Sequence, residues 1–340
     1  MPIARFALRG LLALALLVLA LLLLQRTDAH RDMSAGQKLL QLQQLGDDVD
    51  FVAVGSSRTK FHMIPDVLDS TMAAHGRPVR SYNYGLLGTP ATEISYAVDR
   101  VLEADLPALR TVAVELQPIP LRELHWHPLS RKGAYHFDVA RVRLGLDATR
   151  ASDLSPTERR AAYARFLKLG LRHYLVAGQG TNLVRSWLTG RRRTARELES
   201  RGFTPLDEVV STPEEQMNTA YRRYLALEDS LSAPGAVTPT GVDSVLARHF
   251  LETRDRAAAS GVAVVFIVQP MTTGVEGLAL LLEGAGAPTV RLNNPAHHPE
   301  LYEFDLWYDG SHLNVEGAQR LTEAAARAVA EALARAEAGR

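Results

Sequence analysis

Two kinds of apolar run alternate with polar stretches along this chain, and their periods predict the elements. The first, Phe6 to Leu24, is almost entirely Leu, Ala and Val, broken by Arg9 and Gly10 and preceded by Arg5. A helix needs about 20 apolar residues to cross a bilayer core, a length this run reaches when Arg9 turns its head group to the inner interface. An uncleaved single-pass anchor is the expectation. A signal peptide cut near Thr27-Asp28-Ala29 is the competing reading, and a buried core helix a third. As anchor or signal peptide, Arg5 and Arg9 hold the N-terminus in the cytoplasm and send the rest across the membrane. The main domain is then expected to be periplasmic or otherwise extracytoplasmic, at the inner membrane.

Met33 to Val49 has Leu at helical spacing among polar residues and predicts a short helix linking anchor to domain. Short apolar runs follow at Asp50–Gly55, Thr111–Leu116, Val262–Val268 and Thr289–Leu292, with a further strand candidate at Val79–Tyr84. Without polar alternation, such runs predict parallel strands buried on both faces. Helical patterns separate them, among them about Ala91–Ala104 and a last, Ala-rich Val315–Ala338 with Leu321, Ala325, Val329 and Leu333 in register. The economical fold is α/β: a central parallel sheet of about five strands between two helical layers. The divisions are an anchor or signal over 1–31, a linking helix over 32–49 and one domain over 50–340, with a helical insertion at about 121–246.

Composition narrows the chemistry. There is no cysteine, so disulfides, thiolate metal sites and cysteine nucleophiles are excluded. Lys+Arg and Asp+Glu balance at 38 each, which leaves no net field to gather nucleic acid. Charge is uneven locally: Arg159 to Arg196 holds ten Lys or Arg and no acidic residue. That run is either a solvated helix face or a contact for anionic lipid or envelope polymer.

Ligands of an open α/β sheet bind at the carboxyl ends of its strands. After the first strand comes Gly55-Ser56-Ser57-Arg58-Thr59, a tight turn able to project a hydroxyl and offer backbone N–H groups to an oxyanion. Before the last helix comes Asp309-Gly-Ser-His312, in which the carboxylate can orient the imidazole toward a nucleophile. Taken singly, each also fits an ordinary turn or helix cap; their joint placement favours a serine triad.

On these residues the chain resembles the SGNH/GDSL hydrolase family, which implies a three-layer, flavodoxin-like fold. Gly55-Ser56-Ser57 is similar to the family's Gly-Asp-Ser block, with Ser57 in the nucleophile's place. Asn83-Tyr-Gly-Leu-Leu-Gly88 is similar to its second block, which implies backbone N–H groups of Ser57 and Gly88 in an oxyanion hole. Asp309 and His312 match the last block. The third block, Gly-x-Asn-Asp, is absent: the chain reads Glu115-Leu-Gln-Pro-Ile-Pro120. The resemblance is to the divergent membrane-anchored branch that includes teichoic-acid D-alanylation and alginate O-acetylation proteins. It implies a serine esterase or O-acyltransferase acting on acyl esters of envelope polysaccharide or lipid, beside a membrane-bound O-acyltransferase. The lost block keeps open a catalytically inactive module that binds polysaccharide or scaffolds such an enzyme. No cofactor and no metal are expected.

Further candidates surround this triad. Arg58 either binds an anionic substrate group or tethers its loop. Asn83, His125, Trp126 and His127 are candidates for the substrate pocket, the last three standing beyond the third strand; His125-Trp-His127 lacks a third ligand for a metal and reads otherwise as loop. His297-His298 reads as loop.

Overall fold

The computed structural model describes residues 2–25, 34–122, 135–175, 200–206 and 237–338. Five parallel strands form its sheet: β1 (Phe51–Gly55), β2 (Ser81–Gly85), β3 (Thr111–Glu115), β4 (Ala263–Val268) and β5 (Thr289–Arg291). Their order is β2-β1-β3-β4-β5, the order of flavodoxin-like sheets. β1 is an interior strand, with Val52 opposite Tyr82 on one side and Val112 on the other. The chain leaves β1 toward β2 and returns to add β3 on the opposite side. Its direction of winding reverses there, and a crevice opens between the carboxyl ends of β1 and β3.

Side chains alternate across the strands into two cores. Val52, Val54, Val112, Val114, Val264 and Phe266 enter one; Phe51, Ala53, Ala113, Val265 and Ile267 enter the other. The second core is closed by α3 (Ser57–His62), α4 (Pro65–Ala74) and the last helix, α10 (Val315–Ala338). All four positions of the expected α10 stripe are buried, Leu321 and Val329 at 0% and 1% exposure, and burial of such side chains is worth about 1.5–3 kcal/mol each. The first core lies under α2 (Ser34–Gln44), α5 (Ala91–Leu102), α6 (Val139–Ala151), α7 (Pro156–Leu175), α8 (Gly241–Ala259) and α9 (Glu276–Gly284).

Three features differ from the expected layout. The helix expected to Val49 ends at Gln44, where a turn through Gly46 breaks it. That helix is also part of the core: Ala35, Leu39 and Leu42 are buried, and Tyr82 Oη donates to Gln41 Oε1 at 2.8 Å. The insertion's expected end near 246 falls inside α8, whose capping box at Thr240 and Asp243 starts the helix earlier. Residues 200–206 return to β2, with Asn83 N–H donating to the Arg201 carbonyl at 2.9 Å; they cover an edge that would otherwise be open.

The N-terminal run is helical over Pro2–Gln25, here α1. Its side chains are described at Phe6 and over 8–20, and Phe6, Leu8 and Leu11 are exposed. Among the described residues no helix is long and apolar enough to cross a membrane.

Candidate active site

Gly55 ends β1 and Ser56 caps the helix that follows, its Oγ accepting from Arg58 N–H at 3.2 Å. Ser57 is therefore the first residue of α3, lifted above the carboxyl edge of the sheet at the winding reversal. Only glycine fits at position 55: a Cβ there would lie 2.0 Å from Thr59 Oγ1 and 2.2 Å from Glu115 Oε2. This close approach brings the β1 turn against the end of β3.

Asp309 and His312 arrive from the far end of the chain. Trp307 and Leu313 pair antiparallel, so Asp309-Gly-Ser-His312 forms the tip of a short hairpin. Asn314 fastens its base, accepting from Gly317 N–H at 2.9 Å at the start of α10 and donating to the Asp305 carbonyl at 2.6 Å. Within the tip, Asp309 Oδ1 accepts from the backbone N–H of Ser311 at 2.7 Å and of His312 at 2.8 Å. Asp309 Oδ2 lies 2.9 Å from His312 Nδ1, and His312 Nε2 lies 2.9 Å from Ser57 Oγ. The edge of the Phe61 ring braces the imidazole at 5.7 Å between centroids.

Burial alone would raise the Asp309 pKa, but the hydrogen bond and charge of His312, with the Ser311 and His312 N–H groups, bring it down to about 2. A depressed carboxylate contributes stability that is complete above its ordinary 3.8 and lost as pH falls through about 2. Asp309→Asn is expected to flatten that acid limb of the unfolding curve. An unchanged limb in acid titrations followed by circular dichroism would mean that the carboxylate is not engaged.

A buried network holds the two halves in register. Glu115, 2% exposed, accepts from four donors: Ser56 N–H and Ser56 Oγ at 2.7 Å, Thr59 Oγ1 at 2.6 Å and Gln117 Nε2 at 2.6 Å. Gln269, just beyond β4, donates to Thr59 Oγ1 at 2.9 Å and lies 3.0 Å from His62 Nδ1. Leu313 N–H donates to His62 Nε2 at 2.9 Å, which assigns the His62 proton to Nδ1. Burial, and then the neighbouring His312, hold His62 well below its usual pKa, so it stays a neutral acceptor for the residue next to His312.

The cleft above Ser57 encloses about 340 Å³ and is lined by Arg58, Gly88, Gln117, Ser311 and His312, among others. Gly88 takes φ +57, a left-handed conformation that favours glycine. A larger cavity of about 690 Å³ adjoins it across Pro118 and Pro120.

Comparison with known proteins is negative. No protein-family model, curated protein or solved structure matches this chain.

The structure brings Ser57, Arg58, Gly88 and His312 to one cleft, with Asp309 on the far side of the His312 ring, and it takes Asn83 elsewhere. Asn83 is 1% exposed; its Nδ2 donates to the carbonyls of Thr59 at 2.7 Å and Met63 at 2.6 Å, and its Oδ1 accepts from Gly85 N–H at 2.9 Å. It splices α3 to β2, and its polar atoms are used up by backbone rather than left for substrate. His125, Trp126 and His127 lie outside the described residues. The described part of the basic run is on α7, where Leu167, Leu171 and Tyr174 are exposed beside its cations. Among the described residues no His, Asp and Glu cluster able to hold a metal occurs. Glu115, Gln117, Gln269 and His62 belong to the site and were not singled out in the sequence. Polar residues ending otherwise apolar strands on the functional rim were the available signal for Glu115 and Gln269.

Proposed function

We propose that this protein is an SGNH-like serine esterase or O-acyltransferase, tethered by residues 6–24 to the inner membrane with its catalytic domain on the extracytoplasmic side. The observation that carries the reading is the Ser57–His312–Asp309 chain, with contacts of 2.9 Å on both sides of the imidazole. In that geometry His312 Nε2 takes the Ser57 proton as Oγ attacks an ester or thioester carbonyl, and Asp309 holds the proton on Nδ1 and stabilises the imidazolium. His312 then returns its proton to the leaving group. Water attacks the acyl-enzyme in an esterase; a sugar or polyol hydroxyl does so in a transferase.

The oxyanion is assigned to the backbone N–H groups of Ser57 and Gly88, with Gln117 as a third donor in place of the absent asparagine. Gln117 follows β3, lines the cleft and spends one Nε2 hydrogen on Glu115; the other is available to the site. The apolar N-terminal helix and the basic, leucine-bearing face of α7 both suit an anionic bilayer surface. Envelope polysaccharide or lipid esters are the substrates that such a location offers, and a membrane-bound O-acyltransferase is the partner class that would supply acyl groups there.

A fluorophosphonate probe applied to the full chain in detergent micelles tests the reading. Labelling is expected at Ser57, located by mass spectrometry, and is expected to vanish in Ser57→Ala. An unlabelled, folded protein would favour a non-catalytic module that binds polysaccharide or scaffolds an acyltransferase.

A further inference from the structure

Arg58 follows the nucleophile directly and lines the cleft, yet the protein leaves its charge largely unanswered. Its Nη2 donates to the Met271 carbonyl at 3.1 Å. Its Nε–H is buried and has no acceptor. Among the described residues no carboxylate comes within ion-pairing distance, and no acidic side chain lines the cleft. The nearest acids are engaged elsewhere: Glu115 by its four donors and Asp309 by His312 and two backbone N–H groups. They attract Arg58 only at longer range, while burial draws its pKa down.

The anchorage of Arg58 is itself unusual. Met271 adopts φ +57, strained for a residue with a side chain, and is held there with its N–H on Tyr302 Oη at 3.3 Å and its carbonyl on Arg58. The Nη2 group is thus fixed to backbone while the buried Nε–H stays unmatched. A partly buried cation with unused donors is unfavourable in the empty protein, and an anion with two oxygens answers both deficits through the planar fork of arginine.

We propose that Arg58 is the subsite for an anionic group of the substrate, a carboxylate or phosphate carried within a few atoms of the carbonyl that Ser57 attacks. The substrate class is then acidic acyl esters rather than simple neutral ones. The role given to the carbonyl rests on Ser57 being the nucleophile, but the anion subsite itself does not.

Binding is measured first, without catalysis. Thermal unfolding of the full chain in micelles is followed against acetate and against methyl phosphate, with chloride replaced to keep ionic strength constant. One or both anions are expected to raise Tm saturably in the parent and not in Arg58→Gln. The more effective anion identifies carboxylate or phosphate as the source. In the same assay Arg58→Lys, which keeps the charge and loses the fork, is expected to bind the anion several-fold more weakly; it carries the test if Arg58→Gln does not fold. Acylation of Ser57 is then compared with para-nitrophenyl acetate and para-nitrophenyl hydrogen succinate, and the preference for the acidic ester is expected to drop by about 10- to 100-fold in Arg58→Gln. The proposal is overturned by an absent Tm shift in the parent, by an equal shift in Arg58→Gln or undiminished affinity in Arg58→Lys, or by an equal loss with both esters, which would mean that Arg58 serves the oxyanion. An anion shift lost in Arg58→Gln, in a protein whose Ser57 never acylates, would leave the subsite standing and remove the esterase.

Discussion

Asp309→Asn is expected to slow acylation of Ser57 by on the order of 10⁴-fold while leaving the fold and the position of the imidazole almost unchanged. The hairpin tip dictates how the new amide must sit. Asp309 Oδ1 already accepts the N–H groups of Ser311 and His312 at 2.7 and 2.8 Å, so the carboxamide oxygen of the variant has to occupy that place. The NH2 group is then left facing His312 Nδ1, where Oδ2 now stands at 2.9 Å. A donor at that position makes Nδ1 the acceptor and moves the ring proton to Nε2, the nitrogen 2.9 Å from Ser57 Oγ. An imidazole protonated on Nε2 cannot take the serine proton. His312→Ala, which removes the base altogether, is expected to lose at least as much, and adding Asp309→Asn to it should cost little more because the residues act as one unit. Pseudo-first-order rates of Ser57 labelling in the three variants test this. A loss below tenfold in Asp309→Asn would mean that the carboxylate does not set the tautomer.

The parts of this site that could be read from the sequence are those whose signal is local. Asp309-x-x-His312 is one turn of chain, and Gly55-Ser56-Ser57 is a strand end, so both carry their meaning within a few residues. The strands were legible on the same terms, most clearly in apolar, β-branched segments such as Val264–Val268 that end in Gly, Pro or polar residues. Glu115 was not, since its importance lies in partners such as Thr59, 56 positions away, and a lone glutamate ending a strand looks like any polar rim residue. His62 is more hidden still: its bond to Leu313 spans 251 positions. Asn83 misled for the opposite reason. A polar residue near a functional loop suggests substrate contact, yet in the middle of β2 its buried carboxamide is consumed by four backbone groups. The α2 segment read as a connector because its polar residues are numerous, but Lys38 and Gln41 turn out to bond inward to β2 and its neighbour.

Glu115→Ala is expected to be the most damaging substitution outside the triad, because this side chain joins the turn after β1 to the end of β3 at the point where the sheet reverses its winding. Removing it strands the Ser56 N–H, the Ser56 and Thr59 hydroxyls and the Gln117 amide, all bonded at 2.6–2.7 Å. Hydroxyls can rotate and Gln117 can turn toward the cleft, but the Ser56 N–H is fixed by the helix cap and stays buried without an acceptor. A loss of about 3–5 kcal/mol is the scale for breaking a buried charged network, or roughly 10 °C in Tm for a domain of this size. Glu115→Gln separates stability from positioning. Its amide oxygen keeps part of the network while its NH2 confronts donors, so Ser56 and Thr59 must shift, and with them Ser57 and the start of α3. Urea unfolding should place Glu115→Gln between the parent and Glu115→Ala, while its Ser57 labelling rate falls more than its stability does. If labelling follows only the folded fraction, Glu115 is a core brace; if labelling falls in fully folded protein, the carboxylate sets the aim of the nucleophile.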